Sequence, residues 1–101
     1  MRYLELQEQI QSFCRDYHQE MMKDLAELIE VPSVVSEPLL GKPYGEAAHE
    51  VLVRAENIAK RMGFTVAEAD DACMTAQLGD RPVKLCIMAH LDVVDAGDGW
   101  T

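Results

Sequence analysis

His90 and Asp92 are the residues best placed to do chemistry. They end an apolar run, Val83 to Ala89, and a loop with two glycines, Gly97 and Gly99, follows them. Side chains two apart on a strand share a face, so a strand here sets imidazole beside carboxylate at its C-terminal end. An imidazole at such a position can bind a metal, and a neighbouring carboxylate can orient the ring and raise its basicity. One histidine and one carboxylate do not close a zinc site, which needs three or four ligands.

The other candidates have plainer readings. His49, near the start of a helical segment, and His18, among polar neighbours, read as exposed or partly packed helical histidines. Asp70-Asp71 reads as a turn between strands. Asp95 and Asp98 flank the glycines and read as a solvated loop, within reach of a cation. Cys14, Cys73 and Cys86 form neither a Cys-x-x-Cys zinc pattern nor a disulfide framework. Cys86 is expected as a small buried residue of the apolar strand. Gly41-Lys-Pro-Tyr-Gly45 lacks the spacing of a phosphate loop, and no Gly-x-Ser-x-Gly elbow is present.

Around these residues the pattern predicts two helices and three strands. Leu6, Ile10, Phe13, Tyr17, Met21, Leu25 and Leu28 recur at helical spacing, which predicts one helix over 3–30, buried along the line from Leu6 to Leu25, with part of that stripe expected to be exposed where its covering elements are missing. Val31-Pro32-Ser33 ends it, since proline disfavours helix in the preceding residue, and 33–45 reads as a loop. A second helix is expected over 46–62, on a stripe of Ala48, Leu52, Ala55, Ala59 and Met62 widened by Val51 and Ile58. Gly63 is its stop. Strands are expected over 64–69, 72–78 and 83–90, the last interior to a helix-covered sheet because it is apolar on both faces.

Composition narrows the partners. The 101 residues carry 9 basic and 18 acidic side chains, a net charge of −9, which argues against nucleic acid or an anionic membrane. No run approaches the ~18 apolar residues of a membrane span. Free thiols and an early-charged N-terminus lead to the expectation of a cytoplasmic location.

The segment His90-Leu-Asp92-Val-Val-Asp-Ala-Gly97-Asp-Gly99-Trp100 resembles the first metal-binding motif of the di-zinc exopeptidases that include carboxypeptidase G, aminoacylase and succinyl-diaminopimelate desuccinylase. In that family an apolar strand runs into His-x-Asp-Val-Val-Pro-x-Gly-x-Gly-Trp. Leu25-Ala-Glu-Leu-Ile-Glu-Val-Pro-Ser33, and Gly41-Lys-Pro-Tyr-Gly45 leading to Arg61-Met-Gly-Phe64, are similar to the dipeptidase V branch. The resemblance implies an α/β fold, with residues 1–101 as the N-terminal portion of a metallopeptidase catalytic domain. It implies His90 as ligand to one of two zinc ions (or another divalent metal such as manganese) and Asp92 as the catalytic aspartate that orients it. The substrate implied is a small peptide, with N-acyl substrates of a deacylase or desuccinylase as the alternative. The family's bridging aspartate, Glu-Glu pair, remaining ligands and lid domain have no counterpart in these residues. The chain alone is therefore expected to be inactive, and a non-catalytic fragment is the reading from another class. Asp95 stands where the family carries proline. It permits the turn but gives up the stiffening and adds charge near the site.

Overall fold

A computed structural model describes residues 2–100. The order is α1 (Arg2–Asp16), α2 (His18–Ile29), α3 (Glu46–Arg61), β1 (Thr65–Ala69) and β2 (Cys73–Gln77).

The N-terminal stretch is two helices, not the single one expected. Tyr17 separates them with φ −104 and ψ 8. The i→i−4 bonds nevertheless continue through it, Tyr17 to Phe13 at 3.0 Å and Met21 to Tyr17 at 2.9 Å. The Phe13 and Tyr17 rings stack across the joint with centroids 4.5 Å apart. The apolar line is present but not buried: Leu6, Ile10, Phe13, Tyr17, Met21 and Leu25 are all exposed. The spacing correctly makes them one stripe, and the end of α3, through Arg61 and Met62, borders it beside Phe13, Tyr17 and Met21 without burying it.

Helix α3 matches its expected range and supplies most of the core. Val51, Leu52, Ile58 and Ala59 are buried, joined by Val31 after α2, while Met62 is exposed. The helix starts at Gly45, whose φ of 97 and close approach to Ser36 leave no room for a side chain. It ends as the sequence indicates. Phe64 N–H donates to the Ala59 carbonyl and Gly63 N–H to that of Lys60, both at 3.0 Å, with Gly63 at φ 92. This is the paired closure that needs a left-handed residue after the last turn. Glu46 in the first turn and Lys60 and Arg61 in the last complement the helix dipole. Arg54 ties α3 to α2, donating to the Glu27 carbonyl at 2.9 Å and pairing with Glu30 and Glu50.

The loop 36–45 closes on itself. Ser36 N–H donates to the Tyr44 carbonyl, and Leu39 and Lys42 exchange both backbone bonds. Strands β1 and β2 form an antiparallel hairpin with Thr65 opposite Gln77 and Ala69 opposite Cys73. Asp70 and Asp71 are its turn. Both have positive φ, 57 and 54, and Ala72 N–H bonds the Ala69 carbonyl. Two left-handed residues give the turn whose twist matches a hairpin.

The third strand is not formed. Residues 83–90 belong to neither strand of the two-stranded sheet. Leu85, Ile87 and Met88 are 78%, 83% and 91% exposed, and Cys86 is exposed where burial was expected. A strand exists only through a hydrogen-bonded neighbour, and an apolar run covered on both faces needs helices on each side. Here 83–90 lines an open groove together with Ala48, Val51, Leu52 and Ala55 of α3 and residues 72–78 around β2, without a ladder.

Candidate functional site

Ser33 fixes the segment that carries His90 and Asp92. Just past the C-terminus of α2, two successive three-residue turns fold the chain: Ser33 N–H bonds the Val31 carbonyl and Val34 N–H that of Pro32, each at 2.8 Å. Ser33 is 2% exposed. Its Oγ donates to the Leu91 carbonyl at 2.8 Å, and its own carbonyl accepts from Val93 N–H at 3.1 Å. The segment is thus pinned across 58 positions of sequence.

His90 and Asp92 are brought together as the spacing suggests, although not on a strand. His90 Nδ1 lies 2.9 Å from the Asp92 carbonyl and 3.2 Å from Asp92 Oδ1. A carbonyl and an ionised carboxylate only accept, so the neutral ring carries its proton on Nδ1. Nε2 then holds the lone pair, the form in which imidazole ligates a metal. Both residues are exposed.

The loop beyond them is ordered by local bonds. Asp95 Oδ1 accepts from Gly97 N–H at 3.0 Å, a side-chain turn of the kind aspartate favours. The Trp100 indole N–H donates to the Ala96 carbonyl.

The remaining candidates stand apart from this pair. His49 is partly packed on α3, with a shielded Nδ1 that has no partner. Asp70 and Asp71 are turn residues. Beside that turn, hydrogen bonding with Glu56 holds the Glu68 carboxyl above its ordinary range, helped by desolvation, the Glu56 charge and Asp71. Glu56 Oε1 is shielded and has no hydrogen-bond partner. As for a metal, His90 fits as one ligand with its partner carboxylate. Among the described residues no three His, Cys, Asp or Glu side chains gather to complete a site.

Ser33 is a contact of this segment that sequence reasoning missed. Val31-Pro32-Ser33 marked a helix stop and formed part of the family resemblance, and nothing in either says that the hydroxyl reaches across to residue 91.

No family model matches the chain. It is similar to a protein named "Putative dipeptidase" from Staphylococcus epidermidis, 33% identical over 87 residues, 84% of this chain and 19% of that protein. A protein named "Putative dipeptidase YtjP", from Bacillus subtilis, is 29% identical over 85 residues, 82% of this chain and 18% of its own. One from Staphylococcus aureus is 32% identical over 88 residues, 85% of this chain and 19% of its own. The chain spans about a fifth of the length of these curated relatives. Among the described residues no helix is long and apolar enough to cross a membrane.

Proposed function

We propose that this chain is part of the catalytic domain of a metal-dependent dipeptidase, of the dipeptidase V type, and that His90 and Asp92 belong to its active centre. The observation that carries the reading is the ring geometry: His90 Nδ1 faces the Asp92 carbonyl and carboxylate at 2.9 and 3.2 Å, an arrangement that favours the tautomer with Nε2 free to ligate. Similarity along more than four-fifths of the chain to proteins named as dipeptidases supports the substrate class.

His90 contributes one ligand. Asp92 fixes its tautomer and angle, and the charge of Asp92 favours a cation at the ring. Bound zinc or a similar divalent ion supplies Lewis acidity and a water acidified to near neutral pH. The other ligands and the general base are supplied from outside the 101 residues. The substrate is a small peptide whose amide bond is cleaved by water.

The test is a hydrolysis assay of the complete gene product on a panel of dipeptides and N-acyl amino acids, with and without a chelator. The reading expects dipeptide hydrolysis that chelation abolishes and added zinc or manganese restores. Turnover restricted to N-acyl amino acids would move the assignment to a deacylase. Hydrolysis indifferent to chelation would remove the metal.

A further inference from the structure

We infer that Ser33 is a positioning residue for the His90–Asp92 pair, an inference that rests on the function proposed above. Two peptide units flank the Cα of Asp92, and Ser33 grips both. The unit before it carries the Leu91 carbonyl, which accepts from Ser33 Oγ at 2.8 Å. The unit after it carries Val93 N–H, which donates to the Ser33 carbonyl at 3.1 Å.

Fixing the two planes fixes both backbone dihedrals of Asp92, since φ and ψ are the only soft torsions between them. The second unit also carries the Asp92 carbonyl, which accepts the His90 Nδ1 proton at 2.9 Å. The ring is therefore aimed by a peptide plane that Ser33 holds. His90 and Asp92 are themselves exposed and lack a ladder to hold them, whereas Ser33 is buried beside Val31, just past the C-terminus of α2. The stiff end of the arrangement is Ser33, and stiffness passes from it to the site.

Serine suits this role because it is small enough to be fully enclosed and its hydroxyl donates at short reach. Alanine keeps the backbone half of the clamp and removes the side-chain half. The Leu91 carbonyl then loses its partner, and the first peptide plane is released. Groups that hold a ligand's orientation typically cost about 10–100-fold in activity or metal affinity when removed.

The test compares Ser33→Ala and His90→Ala in the complete gene product. Ser33→Ala is expected to lower kcat on a dipeptide by about 10–100-fold while KM moves less than about threefold. Amide hydrogen exchange at Val93 should accelerate by about fivefold or more, with the α3 amides of Val51, Leu52 and Ile58 unchanged. Unaltered kcat and unaltered Val93 exchange in Ser33→Ala, beside an inactive His90→Ala, would overturn the inference and leave the proposed function standing. Equal acceleration of exchange throughout α3 would make Ser33 a general stabiliser and also overturn it. Full activity in His90→Ala would instead sink the site reading, and this inference with it.

Discussion

Asp92 gives His90 both a charge and a carbonyl, and the two act on the same ring nitrogen. Asp92→Ala removes the carboxylate and keeps the carbonyl. Ring orientation then rests on one backbone bond, and the local negative charge is gone. In the complete gene product this variant is expected to lose at least about 100-fold in kcat, the upper end of the range for groups that orient a metal ligand. His49→Ala, a partly packed position on α3, should stay within about twofold, since substitutions away from a site are usually mild. Steady-state kinetics on one dipeptide reads both, and equal losses in the two variants would contradict the assignment. Glu68 makes a different prediction at this scale. Its carboxyl is held above the ordinary value of 4.5, chiefly through Glu56. The folded form therefore binds the proton more tightly than the unfolded form. That contribution to stability is complete below about pH 4.5 and is lost as pH rises through the raised value. Glu46 works in the opposite sense, lowered by Lys42 at 2.7 Å, so the comparison must be made by variant. Glu68→Gln should raise the melting temperature at neutral pH, and its advantage should shrink toward acid. A constant advantage across the pH range would contradict an upward-held Glu68 carboxyl.

The elements depend on a few backbone positions that side chains cannot replace. A Cβ on Gly45 would lie 1.9 Å from Ser36 Oγ and 3.2 Å from the Ser36 backbone, at a φ of 97. Gly45→Ala should therefore cost about 1–3 kcal/mol and lower the thermal midpoint accordingly. An unchanged midpoint would mean that the start of α3 adapts freely. Helix α3 and the hairpin were legible in the sequence because their information is local. A 3.6-residue stripe, a stop glycine and two adjacent aspartates each specify structure within a few residues. The run 83–90 was legible only as a preference for burial. Whether it becomes a strand depends on a neighbour far away in sequence, and no pattern inside the run supplies one. The same holds for the α1–α2 stripe, read correctly as one face, whose burial depends on covering elements that no pattern inside it supplies. At the site, the meeting of His90 with Asp92 follows from two-residue spacing. The Ser33 clamp joins positions 58 apart, a distance over which single-sequence patterns are silent.

At the scale of the whole molecule, surface exceeds what a self-contained domain of this size exposes. The accessible surface is 8862 Å², against about 5,700 Å² for a folded monomer of 11.3 kDa. The radius of gyration is 16.8 Å, against about 13 Å for a compact chain of this length. The buried apolar core consists of Val31, Val51, Leu52, Ile58 and Ala59. So small a core leaves little to offset the conformational entropy of ordering about one hundred residues. The 101-residue chain alone is expected to melt at low temperature with a broad transition. It should also lack dipeptidase turnover and bind zinc no tighter than a single exposed histidine does, because a catalytic zinc needs about three protein ligands. Calorimetric zinc titration with a parallel melt checks this. Stoichiometric sub-micromolar binding would mean that the site within these residues is more complete than the geometry allows.

Whether His90 holds a catalytic metal is read most directly from His90→Ala in the complete gene product, with dipeptide turnover and bound metal measured on the same preparation. The expected result is at least about a 100-fold loss of kcat together with loss of bound metal, in a protein that melts as the unaltered one does. Turnover near the unaltered rate with metal content intact would contradict it.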